Sequence, residues 1–219
     1  MGKKAFTMIE LVLVIVVLGI LAALAIPRME RDLRQEAADN VLSAIRYTQH
    51  LALVDDKHKF DNPKWQERFW HIVFGSCTGS DKYYMVGSDD DMTGSTNAYF
   101  TQNEAALDPT TGKPMFWTNG VDCSNGGDST VSASIFISKK YGINSIGTSG
   151  GCGNLYLGFD HLGRPYGDKF PNSGTPDYNG TITGDCNITF GFSDSSITDF
   201  SIIIKKETGY AYIDKQPGS

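Results

Sequence analysis

Residues 8–26 read MIELVLVIVVLGILAALAI, and Glu10 is the only charge among them. From Leu11 to Ile26 nothing is polar. At ~1.5 Å per residue, a helix over 6–26 is about 31 Å long, close to the ~30 Å hydrocarbon core of a bilayer. The segment is expected to span a membrane. A buried core helix is the plainer alternative, but a helix that is apolar all round rarely finds enough protein in a mid-sized chain to cover it. A secretory signal peptide is the stronger rival. Lys3 and Lys4 supply a charged start, and Ala23-Leu24-Ala25 offers a cleavage site before Ile26. Glu10 speaks against it, because an acid costs up to ~3 kcal/mol at mid-membrane and a disposable signal gains nothing from it. An acid in a span calls for a partner, and the nearest is an amino terminus freed by cleavage just upstream.

The run Lys3-Lys4-Ala5-Phe6-Thr7-Met8-Ile9-Glu10-Leu11, followed by Gly19 and Ile26-Pro27, resembles the class III signal of type IV pilins and type II secretion pseudopilins. The resemblance implies that a prepilin peptidase cuts between Ala5 and Phe6 on the cytoplasmic side and then N-methylates Phe6. It also implies that Glu10 neutralises the terminal amine of a neighbouring subunit during assembly. Gly19 matches the family's glycine within the span, and Pro27 its helix-loosening proline. Proline inside a helix removes a hydrogen bond and loosens the preceding turn on its own account. The family prefers glycine before the cut, and Ala5, the next smallest residue, predicts slower processing. On this reading the chain is a structural subunit and not an enzyme. Its partners are the peptidase, other pilin-like subunits and inner-membrane lipid, with the head in the periplasm or on an extracellular filament. The positive-inside rule does not decide orientation, since Arg28, Arg31 and Arg34 follow the span as Lys3 and Lys4 precede it.

Working outward, 28–56 keeps a helical period. Leu33, Ala37, Val41, Ile45 and Thr48 recur every three or four residues, as an amphipathic stripe does. Arg28, Arg31 and Arg34 share another face, expected to be solvated. The helix should end near 54–56, because Asn62-Pro63 forbids continuation. Beyond 57 the period becomes alternating, with candidate strands at 69–74, 83–86, 115–117, 131–137, 155–159, 188–192, 200–205 and 210–213. Gly, Asn, Asp and Pro clusters separate them, as in an antiparallel meander. The pair 200–205 and 210–213 flanks Thr208-Gly209 as a hairpin. The expected class is therefore α+β, a long N-terminal helix packed on an antiparallel head. The organisation is a leader at 1–5, a span at 6–26, an amphipathic stalk at 27–56 and a β-rich head at 57–219. FDHLGRP at 159–165 and the closing TDFSIIIKKETGYAYI are similar to H-type minor pseudopilins and related minor pilins, which implies a minor subunit.

The chain has 219 residues and a net charge of −6. Without Lys3 and Lys4 the 19 basic side chains fall to 17 against 25 acidic, a net −8. A body this acidic excludes a nucleic-acid binder that works by bulk phosphate neutralisation. Four cysteines, Cys77, Cys123, Cys152 and Cys186, all lie in the head, and an even number in an exported part suggests two disulfides. Three pairings are open. Sequential pairing, Cys77–Cys123 and Cys152–Cys186, closes the more local loops and is favoured. A four-cysteine zinc site lacks the usual close ligand pairs.

Four polar stretches could carry chemistry. Asp89-Asp90-Asp91-Met92-Thr93-Gly94 opens like a calcium loop, but the twelfth position, where an EF-hand needs a carboxylate, is Phe100. A longer loop using Asp89, Asp91 and Glu104 or Asp108 is the calcium reading, against a solvated acidic turn; no other cofactor is expected. Gly147-Thr148-Ser149-Gly150-Gly151 fits GxSxG formally, yet a nucleophile elbow needs a strand-to-helix turn, and His50, His58, His71 and His161 are scattered. A tight turn beside a disulfide is the better account. Asn179 and Asn187 each open an N-x-Thr acceptor sequence, with Asn179 in the more loop-like setting.

Overall fold

The computed structural model describes residues 8–59, 61–92, 100–118, 120–167 and 180–216, with the side chains of 22–32 left aside. The leader at 1–5, the Ala5/Phe6 cleavage site and Asn179 lie outside the described residues.

One helix dominates. α1 (Met8–Val54) runs for 47 residues, about 70 Å, and its backbone stays helical through position 27. Its second half packs on the head through Ala37, Ala38, Val41, Ile45, Thr48 and Ala52, all at most 3% exposed. These positions fall mostly three or four apart and so share one face of the helix. Three of the six being alanine lets the helix lie close to the strands. Four side chains on α1 fasten it by donating to head carbonyls, among them the Tyr47 hydroxyl, which reaches Leu107 O at 2.9 Å. Arg34 Nε reaches Thr198 O at 2.9 Å, Arg46 Nη2 reaches Ala211 O at 2.8 Å, and Gln49 Nε2 reaches both Gly163 O at 2.9 Å and Thr208 O at 2.8 Å. Arg34 therefore does not belong to a purely solvated face, because carbonyls at the end of a head loop lie within reach of its guanidinium.

The head holds two four-stranded antiparallel sheets where a single meander was expected. In chain order the strands are β1 (Trp70–Ser76), β2 (Lys82–Gly87), β3 (Ile143–Gly150), β4 (Tyr156–Phe159), β5 (Pro165–Tyr166), β6 (Cys186–Phe192), β7 (Phe200–Ile204) and β8 (Ala211–Ile213). One sheet has the order β2-β1-β4-β5 and the other β3-β6-β7-β8. α1 touches strands of both. The sheets share one core, with Phe74 of β1 against Phe190 of β6 at 5.5 Å between rings and Phe190 stacked on Phe200 at 4.9 Å.

Two expected strands are absent. Residues 131–137 alternate apolar and polar, yet they form a 3-10 turn at Ala133–Ile135 leading into α2 (Ile137–Tyr141). The turn wins because Ser132 caps it, accepting from Ser134 N, and both serine hydroxyls donate to Asp108. Met115 forms no named strand but bonds across to Ala106 O and to Val86 N, continuing the edge of β2 irregularly. Two strands, β3 and β5, carry no strand signal in the sequence. β3 is a polar, largely exposed edge strand with no alternation, and only its pairing with β6 makes it a strand. The closing hairpin is β7–β8. Gly209 sits at φ 66°, and a Cβ there would come 2.3 Å from Gly163 O, so the turn needs glycine for both conformation and space.

Candidate functional site

Every described side chain from Met8 to Leu21 is exposed, including Met8 at 85%, Ile9 at 75% and Leu13 at 64%. Among the described residues, nothing in the head covers this end of α1. Apolar surface on that scale marks a contact with lipid or with other protein. Gly19 lies on it with nothing within 4 Å of where a Cβ would stand, so a neighbouring helix has room to come close there. Glu10 is exposed among these apolar side chains. The described side chains of this stretch reach only Leu21, about 21 Å of helix against the ~30 Å of a bilayer core. Among the described residues no helix is long and apolar enough to cross a membrane.

In the head, disulfides join Cys77 to Cys123 and Cys152 to Cys186. No described cysteine is free, which removes the four-cysteine zinc alternative. The first bond fastens the end of β1 to the 120–126 loop. The second closes the β3–β6 pair, since Gly150 and Cys186 are register partners.

The acidic loop comes together in part. Asp89, Asp91 and Glu104 place carboxylate oxygens within 4.8 Å of one another. Glu104 is oriented by its neighbours: Oε1 accepts from Asp91 N at 3.0 Å and Oε2 from Thr101 N at 2.8 Å. Asp90, between the two aspartates, is committed elsewhere. Burial would raise its carboxyl, but Lys57 and Arg68 outweigh that and hold it below the usual range. Phe100 is buried against Phe116. Asp108 is not part of this group. It lines a cavity of about 320 Å³ between α1 and the head, with Asn40, Tyr47, Tyr84 and Lys140. Burial pushes the Asp108 carboxyl up, but hydrogen bonds from Ser132, Thr110 and Ser134 prevail and hold it at about 2.

Ser149 is the last residue but one of β3, paired with Asn187 on an exposed strand and not at a strand-to-helix elbow, so no nucleophile geometry exists there. Asn187 itself is in β6, paired on both sides, and its Oδ1 is buried without a described partner. That is a poor setting for a glycan.

The histidines are less scattered than the sequence suggests. His71 is fully buried; burial pushes its imidazole down to about 4 against the pull of its bond to Phe69 O. His58, just past the end of α1, meets His161 of the β4–β5 turn edge-on at 4.2 Å. Asp56 stands beside them, its Oδ1 3.5 Å from His58 Nδ1. Burial and then His161 push His58 below its ordinary range, against Asp56 and Asp160. Nothing in the spacing of Asp56, His58 and His161 signals this meeting, because it depends on where the β4–β5 turn docks.

No family model matches the chain, and no solved structure does. Among curated proteins the chain is 37% identical over 102 residues to the type IV narrow pilus major component PilA5 of Thermus thermophilus. The alignment covers 45% of this chain and 82% of that protein.

Proposed function

This chain belongs to the type IV pilin family, and from that premise we propose that it is a structural subunit of a type IV pilus or a related type II secretion filament. The observation that carries this reading is the apolar, uncovered first part of α1 with Glu10 as the only charge in residues 8–26. A structural role and not a catalytic one follows from the same family membership.

In mechanism, the apolar helix over 6–26 holds the precursor in the inner membrane with the head outside. Prepilin peptidase removes residues 1–5 and methylates Phe6. The exposed helices then bundle into a filament core, and Glu10 meets the Phe6 amine of a neighbour. Gly19 lets neighbouring helices approach, and Pro27 loosens the rod where it leaves the lipid. In lipid there is no hydrophobic drive between helices, so packing and one charge pair select the register. The head stays on the filament surface, fastened to α1 through Arg34, Arg46 and Gln49. The FDHLGRP segment and the closing hairpin support the finer assignment to an H-type minor subunit, whereas the Thermus relative is a major component. Copy number per filament separates the two.

The decisive experiment is the intact mass and N-terminal peptide of protein taken from membranes of a host with prepilin peptidase. A chain starting at Phe6 and heavier by one methyl group is expected. A chain starting at Ile26 would replace this reading with that of a secreted soluble binding protein.

The acidic loop extends the proposal to calcium. Asp89, Asp91 and Glu104 supply three of the six to eight oxygens that calcium takes. Millimolar calcium should raise the melting temperature of the head, and Asp91→Asn should abolish the shift. Equal shifts in wild type and variant would make the loop a solvated turn.

A further inference from the structure

The end of α1 and the β4–β5 turn bring two imidazoles and a carboxylate together at a place that neither filament assembly nor the acidic loop uses. Asp56, His58 and His161 each offer a ligand atom, and these atoms lie within 4.8 Å of one another. We propose that Asp56, His58 and His161 form a binding site for a zinc-class divalent transition metal that joins the end of the long helix to the head.

The geometry fits such an ion. His58 Nδ1 and Asp56 Oδ1 are 3.5 Å apart. Two ligands with bonds of ~2.0–2.1 Å at a tetrahedral ion stand about 3.4 Å apart. Two imidazoles with one carboxylate suit zinc, copper or nickel, and a fourth position remains for water. Calcium and magnesium favour all-oxygen sets and are poor candidates here.

The ligands are already positioned. His58 lies flat on Trp65 at 3.9 Å between ring centres, with Phe69 edge-on at 5.9 Å. Asp56 Oδ1 accepts from His58 N at 2.9 Å, which folds the 56–58 segment into a tight turn. On the other side, Asp160 organises the turn that carries His161. Its Oδ1 accepts from Leu162 N at 2.9 Å and from Arg164 N at 2.8 Å, and its Oδ2 from Arg164 Nε at 2.7 Å. Gln49 then ties that turn to α1 through Gly163 O.

A second observation points to a ligand. Among the described residues His161 Nδ1 is buried with no hydrogen-bond partner. A buried polar atom of this kind is normally paired, and a metal or its bound water would pair it. The charges around the cluster are also disposed to admit a cation. Lys57 is held by Asp55 at 2.8 Å and Asp90 at 3.0 Å, and Arg164 by Asp160. The carbonyl end of α1 at Val54 adds a partial negative charge close by. An ion bound only by the folded head stabilises it, so the site would act as a clasp between stalk and head.

The test uses untagged full-length protein in detergent, stripped with chelator and titrated with zinc chloride and with cobalt chloride. One zinc ion per chain, a raised melting temperature and the visible bands of four-coordinate cobalt are expected, with excess calcium failing to displace either metal. Asp56→Asn keeps the acceptor for His58 N, and His161→Asn leaves the Trp65 stack intact. Each should weaken zinc binding by at least about 100-fold, beyond the loss typical of a supporting partner, while melting as wild type does in chelator. Asp91→Asn should bind zinc as wild type does, which separates this site from the acidic loop. Absence of saturable zinc binding, displacement by calcium, or wild-type affinity in His161→Asn would each overturn the proposal.

Discussion

Replacing Glu10 with alanine is expected to leave the protein in the membrane and remove it from filaments. The substitution takes the single charge out of an otherwise apolar stretch, so insertion becomes easier by up to ~3 kcal/mol and the membrane pool should not fall. Assembly responds in the opposite direction. Met8 to Leu21 expose apolar side chains all round the helix, and such a surface slides and rotates against its neighbours with little preference, because lipid tails compete equally for it. A carboxylate at one position facing an amine at one position fixes both register and rotation. Glu10→Gln keeps size and hydrogen bonding but loses the charge, and should fail nearly as completely. The measurement is the ratio of protein in sheared filaments to protein in membranes. Ratios near background for both variants are expected. A wild-type ratio for Glu10→Ala would end the charge-pair account, and a wild-type ratio for Glu10→Gln alone would make the contact a hydrogen bond and not an ion pair.

Removing either disulfide should destabilise the head by about 4 kcal/mol, the value the loop-entropy model gives for the separations of 46 and 34 residues between the paired cysteines. Against a total of ~5–15 kcal/mol for an ordinary domain, one such loss is large and two would leave little folded. The two bonds differ in what they hold. Cys152–Cys186 closes the β3–β6 pair, and β3 is exposed along most of its length. Few buried side chains remain to keep that strand in place. Cys77–Cys123 anchors a loop that is also held, among the described residues, by Thr78 N to Val121 O, Gly120 N to Ser76 O and the Thr78 hydroxyl to Gly120 O. Urea unfolding of full-length protein in detergent would read both effects through paired Cys→Ser variants. Midpoints within the error of wild type would mean that the unfolded chain stays compact enough to make the links redundant. Loss of β3 pairing is expected in Cys152→Ser/Cys186→Ser before the rest of the head unfolds, visible as fast amide exchange confined to 143–150.

The helical stripe was legible because burial on a helix repeats locally. Val41, Ile45 and Thr48 point the same way whatever they pack against, and all three are fully buried. The β7–β8 hairpin was legible for a similar reason, since Gly209 and its flanking strands are neighbours in sequence. Residues 131–137 misled because alternation alone cannot reveal that Ser132 and Ser134 are drawn to Asp108. β3 was invisible since a Gly- and Ser-rich edge strand carries no pattern of its own. The cluster of Asp56, His58 and His161 is not legible in the sequence because His161 comes from a turn more than a hundred residues away from the 56–58 segment, and Asp56 and His58 alone are no ligand signature.

The long helix, its apolar first part with Glu10, the acidic head and the closing hairpin follow from the amino acids alone, because each rests on residues a few positions apart or on composition. Long-range packing settles that the head is two sheets around one aromatic core, that β3 exists, which cysteines are joined, and that two distant histidines meet one aspartate at the end of α1. Those features depend on which segments, far apart along the chain, bury one another's surface, and no local periodicity encodes that choice.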